Sequence, residues 1–108
     1  MKPNHPTENL TSKIQSGKPL LVFFFKPFCS SSNLCKPAME EFQQKFSSFI
    51  EIIEYTIEAN SIFARTLNLT TMPSTLFFHE RIEKWRHTGI IGTETIIEEL
   101  KLLNIPLE

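Results

Sequence analysis

The sequence predicts an α/β fold: a mixed sheet of about four strands, built as a βαβ unit followed by a ββα unit, with helices on both faces. Three observations lead there. Leu20 to Phe25 is a run of six apolar residues without alternation, the pattern of a strand covered on both sides. A second stretch rich in β-formers, Glu51 to Ile57, follows it across a helical pattern, which makes a parallel pair joined by a crossover helix. Ser74 to Phe78 and Ile82 to Thr88 flank the tight connection His79-Glu80-Arg81 and read as an antiparallel hairpin.

The remaining elements fall between these strands. Met1 to Pro6 is polar and carries prolines, so it is expected as a loose tail ahead of one domain over residues 7–108. Leu10 and Ile14 stand four apart between a candidate N-cap, Thr7, and a stop at Gly17, which predicts a short helix over Thr7 to Ser16. After Cys29 and four polar residues, Pro37, Met39, Phe42, Phe46 and Phe49 line one helical face, with Glu40, Glu41 and Lys45 opposite. Asn60 is a candidate cap for a helix whose stripe is Ile62, Phe63 and Leu67, ending before Thr70-Thr71-Met72-Pro73. Gly89 and Gly92 close the hairpin. Thr93 to Leu103 forms a last helix with Ile96, Ile97, Leu100 and Leu103 on one side. Glu94 early and Lys101 late suit its macrodipole.

Composition narrows the function. A chain of 108 residues, 41% hydrophobic and 21% charged, suits one soluble domain. Its net charge of −1 argues against nucleic acid or a membrane surface as partner. The longest apolar run is six residues, whereas spanning a bilayer takes roughly 18 to 20. Two cysteines do not make a disulfide scaffold. Met1 to Leu10 lacks the apolar stretch of a secretion signal, so the chain is expected to be cytoplasmic; a monomer is the expected state. His5, His79 and His87 have no ligand spacing among themselves or with the cysteines, and read as solvated; neither a metal nor another cofactor is expected. The acid pairs Glu40-Glu41 and Glu98-Glu99 read as solvated charge, and Trp85 as packed against a helix.

Chemistry concentrates at Cys29. In a sheet of this kind the functional crevice lies beyond the carboxyl ends of the parallel strands, where the strand ending at Phe25 turns into the following helix. A sulfur there meets the free amides and the positive end of a helix, both of which favour the thiolate. The stretch Lys18 to Met39 carries Lys18, Lys26 and Lys36 and no acid, which points the same way. Against this stands the plainer reading that Cys29 plugs the strand end as a small hydrophobe. The serine run beside it and the helix entry favour a reactive thiol.

The segments Leu20 to Phe25, Lys26-Pro27-Phe28-Cys29, Pro37-Ala38-Met39-Glu40-Glu41-Phe42, Thr71-Met72-Pro73-Ser74-Thr75-Leu76-Phe77-Phe78 and Gly89 together resemble the thioredoxin family. They match its central strand, active-site turn, helix, cis-proline strand and following glycine, over about Leu20 to Leu103. Pro37 stands eight residues after Cys29 and Pro73 forty-four after it, as in a thioredoxin core. The resemblance implies a thioredoxin-like fold, a cis Met72-Pro73 bond, and a Met72 backbone that pairs an extended partner beside Cys29. Phe28, in place of the family's usual Trp, keeps an apolar wall.

Two departures change the expected chemistry, and two more are structural. The family's second cysteine, three residues after the first, is Ser32 here, giving Cys29-Ser30-Ser31-Ser32. A serine can hydrogen-bond the Cys29 thiolate but cannot attack a mixed disulfide to release the partner. The family's buried acid, six residues before the active cysteine, is Phe23. The glycine usual in the hairpin turn is Arg81, and a first strand before Thr7 is not evident. Cys35 is a poor substitute resolver, because residues six apart on a helix lie about 9 Å apart along the axis and point to different sides, beyond the roughly 7 Å limit for a bridge. It reads as a core cysteine.

The leading expectation is therefore thiol–disulfide exchange through one nucleophile, Cys29, with Ser32 orienting it, Phe28 as an apolar lip and Met72-Pro73 aligning the partner. That partner is a protein disulfide or a low-molecular-weight thiol. The rival is a binding module that keeps the groove at Met72-Pro73 without turnover. Glutathione or iron–sulfur binding in the manner of monothiol glutaredoxins is a lesser alternative, since Gly89-Ile90-Ile91-Gly92 matches their glycine pair poorly.

Overall fold

Six consecutive apolar residues leave β1 (Leu20–Phe25) without a polar face, and the fold covers both of its sides. The computed structural model describes the backbone of residues 6–26, 30–57, 62–69 and 71–105, with side chains in those stretches apart from 6–9, 30–35 and 63. Around β1 run α1 (Pro6–Gln15), α2 (Ser30–Phe46), β2 (Glu51–Thr56), α3 (Ile62–Thr66), β3 (Ser74–His79), β4 (Ile82–Thr88) and α4 (Thr93–Leu102). The sheet order is β2-β1-β3-β4, with β1 parallel to β2 and antiparallel to β3, and β3 antiparallel to β4. This is the mixed four-strand sheet that the sequence predicts.

Alternate residues of β1 feed two cores. Leu21, Phe23 and Phe25 pack with Phe77 of β3, Met39 and Phe42 of α2, and Ile96 and Leu100 of α4. Leu20, Val22 and Phe24 pack with Leu76 and Phe78 of β3, Leu10 of α1, Ala64 of α3, and Met72. Trp85 is half-buried against the first core. Across the sheet, Thr75 is paired with Phe23 and fully buried, yet its Oγ1 has no hydrogen-bond partner among the described residues.

The turns carry their own reasons. Gly17, at φ +80°, ends α1 in the left-handed region, and its N–H donates to Ile14 O at 3.1 Å. The hairpin turn is two residues, Glu80 and Arg81, both at positive φ (57° and 69°), which matches the twist of the flanking strands. Non-glycine residues pay for that conformation, and Glu80 N–H gains a bond to Gly17 O at 2.9 Å.

Several sequence expectations are corrected. The first helix begins at Pro6, so Thr7 lies inside it and does not cap it, and Pro6 is not part of a tail; proline is well suited to a first helical position. Pro37 is exposed, and Phe49 lies beyond the end of α2 at 41% exposure, so the buried stripe of that helix is Met39, Phe42 and part of Phe46. Ile62 is 78% exposed; α3 is only five residues long and buries Ala64, with Leu69 following. Asn60, its expected cap, lies outside the described residues. His79 and His87 are half-buried, with rings against Phe77 and Trp85, so neither is simply solvated.

Glu41 is not free charge either. The Thr93 hydroxyl donates to Glu41 Oε1 at 2.9 Å and lies 3.3 Å from Ala38 O, while Lys45 pairs with the same carboxylate at 3.2 Å. These contacts tie α2 to the start of α4, whose N-cap, Gly92, offers no side-chain cap. The Thr93 hydrogen bond, with help from Lys45, lowers the Glu41 pKa.

Three outcomes follow. Phe23→Ala, opening a cavity in the first core, should cost about 3–5 kcal/mol in denaturant unfolding. Thr75→Val, removing an orphaned buried hydroxyl without changing shape, should raise stability by about 1 kcal/mol. Because the folded-state pKa of Glu41 is depressed, its contribution is complete above the usual carboxylate range and is lost as pH falls through the folded value. The stability gap between the parent and Glu41→Gln should therefore close on acidification; a gap constant with pH would contradict that linkage.

Candidate functional site

The carboxyl end of β1 is where three chain segments converge. Phe25 ends the strand, and Ile57 N–H donates to Phe25 O at 2.7 Å, extending the parallel ladder past β2. Lys26, exposed, then leads toward α2, whose first residue is Ser30. On the other side of β1, the register Phe24 to Ser74 sets Thr71–Pro73 just beyond the same sheet end. There the Ser74 hydroxyl donates to Thr71 O at 2.5 Å, and Gly89 N–H donates to Pro73 O at 2.8 Å.

The Met72–Pro73 peptide bond is cis. Pro73 is buried and has no N–H to offer a strand ladder. The Met72 side chain is 6% exposed and belongs to the second core, among Ala64, Leu69 and Leu76. Thr71 faces solvent.

Of the other residues singled out in the sequence, Cys29 and Phe28 lie outside the described residues, in the connection between Lys26 and Ser30. Ser32 and Cys35 sit on α2, and their side chains are likewise outside the described set. Cys35 falls one helical turn before Met39.

The electrostatics differ from the sequence expectation. α2 is 17 residues long and has no acidic residue in its first turn, so its positive end is not offset locally. Of the three lysines expected to favour an anion, Lys36 is committed elsewhere. Its Nζ lies 3.0 Å from Glu54 Oε2 and 5.6 Å from the centre of the Phe25 ring. Glu54 arrives from β2, outside the acid-free stretch. Lys18 precedes β1, a strand length of about 20 Å from the Phe25 end. Lys26 remains at the site end.

Phe23 is fully buried, its ring 6.4 Å from that of Phe25, so the position six residues before Cys29 holds a hydrocarbon in the core. Among the described residues no group of three or more metal-ligating side chains occurs, and no helix is long and apolar enough to cross a membrane.

Two features escape a reading of the sequence. Ile90, next to Gly89, is 50% exposed while Ile91 is 4% exposed, so one of two identical neighbours presents an apolar side chain to solvent directly after the glycine that bonds Pro73 O. The apolar pair between two glycines was the available signal. His87 Nε2 lies 3.2 Å from Ile90 O and steadies that turn. Arg86 is the other: it reaches from β4 to the end of α3, a contact no local pattern announces.

Comparison with known proteins agrees with this geometry. A family model described as Thioredoxin matches residues 3–102. Thioredoxin of Mycobacterium tuberculosis is 23% identical over 90 residues, covering 83% of this chain and 78% of that protein. Thioredoxin of Mycolicibacterium smegmatis is 25% identical over 92 residues, covering 83% and 82%. Among solved structures, Chlamydomonas reinhardtii thioredoxin f2 superposes with a TM-score of 0.79 at 13% identity, covering 93% of this chain and 94% of that one. Mitochondrial thioredoxin 3 of Saccharomyces cerevisiae gives 0.75 at 13% identity, covering 87% of each. Because the family model spans residues 3–102, this chain belongs to the thioredoxin family.

Proposed function

We propose that this protein exchanges disulfides through one nucleophile, Cys29. The observation that carries the reading is the convergence, at one sheet end, of the end of β1, the unneutralised start of α2 and the Met72–Pro73 segment, Cys29 standing in the sequence between the first two. The Cys29 thiolate attacks one sulfur of a partner disulfide. A bond forms from Cys29 to that sulfur, the original S–S bond breaks, and the second partner sulfur leaves as a thiolate. The amides of the first turn of α2 stabilise the attacking anion, and Ser32 orients it. The partner chain lies extended along Met72, with Phe28 and Ile90 as apolar walls.

Release then needs an external thiol. That thiolate attacks the mixed disulfide, forms a new disulfide with the partner and returns Cys29 as thiolate. Ser32 cannot do this, and the buried Phe23 offers no carboxylate to move a proton during an internal resolving step. A supply of small thiols fits the cytoplasmic, reducing setting proposed from the sequence. The same two residues favour a second reading, a binding module that holds partners in the Met72–Pro73 groove without turnover.

Alkylation of Cys29 as a function of pH, scored by peptide mass spectrometry apart from Cys35, separates them. Exchange predicts a midpoint well below the free-thiol value of about 8.5. It also predicts that Cys29→Ala abolishes reaction with disulfides. A midpoint at or above the free value, with partners retained equally by Cys29→Ala, would establish the binding module instead.

A further inference from the structure

The segment that would align a partner is gripped at one end by β4 and at the other by the glycine that follows it. At its far end Gly89 N–H holds Pro73 O at 2.8 Å. At its near end, three residues earlier on β4, Arg86 reaches over to the close of α3. Its Nη2 donates to Leu67 O at 2.8 Å and its Nη1 to Asn68 O at 3.1 Å. Glu83, on the same strand, orients the guanidinium by accepting from Nε at 2.5 Å and from Nη2 at 2.7 Å.

Those two carbonyls need a donor from elsewhere. α3 ends in a left-handed residue, Asn68 at φ +58°, with Leu69 N–H bonded to Ala64 O at 2.8 Å and Asn68 N–H to Arg65 O at 3.0 Å. That closure satisfies the carbonyls of residues 64 and 65 and leaves those of 67 and 68 pointing past the end of the helix. A helix of five residues has little stability of its own, so what fixes its end fixes the chain that follows. From Asn68 only three residues intervene before Met72, and Leu69, 3% exposed, is buried in the same core as Met72.

We propose that Arg86 is a positioning residue for the candidate site: by capping α3 across the sheet it fixes the near end of residues 68–73, as Gly89 fixes the far end. The forked guanidinium is suited to the task because it meets two carbonyls and a carboxylate at once, which a lysine ammonium on its single point of charge does not reproduce. The inference rests on the exchange reading above, in which Met72 aligns an extended partner.

The test compares two probes with the same leaving group on Arg86→Ala and Arg86→Lys. One is a peptide with a mid-chain cysteine activated as its thiopyridyl disulfide; the other is N-acetylcysteine activated in the same way. Positioning predicts that Arg86→Ala reacts roughly tenfold more slowly with the peptide and within about twofold of the parent with the small probe. It further predicts an unchanged pH midpoint for Cys29 alkylation, and faster hydrogen exchange at the Leu69 amide with the β1 amides unaffected. Arg86→Lys, which keeps the charge, should fall between and serves if the alanine variant does not fold. Rates that fall equally for both probes, a peptide rate that does not change, or a Leu69 amide as protected as in the parent each overturn the inference. A parent protein inert to both probes instead overturns the exchange reading, and the inference with it, whatever the Leu69 amide does.

Discussion

The burial of β1 on both faces is the constraint on which the rest of the structure depends. Six apolar residues at 0–2% exposure demand a neighbour strand on each edge and helices on each side, and the chain supplies all of them. Because the crossover through α2 must begin where β1 ends, the connection after Phe25 and the first turn of α2 are forced to the carboxyl end of the sheet. The antiparallel register of β3 then places Pro73 at that same end. The site is a consequence of how one strand is covered.

The local chemistry has been simplified at this site. Where a buried acid would serve an internal resolving step, Phe23 extends the core, and the polar group nearest in the register is the Thr75 hydroxyl on the neighbouring strand, which has no hydrogen-bond partner among the described residues. Lys36 is paired with Glu54 and lies over Phe25, which secures β2 to α2. What remains at this sheet end to favour an anion is the start of α2, with Lys26 preceding it in the chain. Both stabilise an anion.

Much of this was legible in the sequence, and the parts that were not share a physical cause. The unbroken run of β1, the β-formers of β2 and the tight connection between β3 and β4 are properties of single segments, so they could be read without knowing the fold. The faces of the helices were less legible. Pro37 fits the apolar spacing of α2 but is exposed, Phe49 lies past the end of that helix, and α3 is too short for a stripe to select Ala64 over Ile62. Pairings between distant residues were not legible at all. The Glu54 that takes up Lys36 stands 18 residues away, and the carbonyls that Arg86 caps stand 18 and 19 away. Such contacts exist only once the strands are in register.

The most direct measurement of the central claim is the intact mass of the unmodified protein after reaction with a peptide disulfide, followed before and after adding a small thiol. Exchange through Cys29 alone gives a single peptide adduct on Cys29 that persists until the thiol is added and then returns to the starting mass. Loss of the adduct without added thiol, with the mass of an internal Cys29–Cys35 disulfide in its place, would contradict the account.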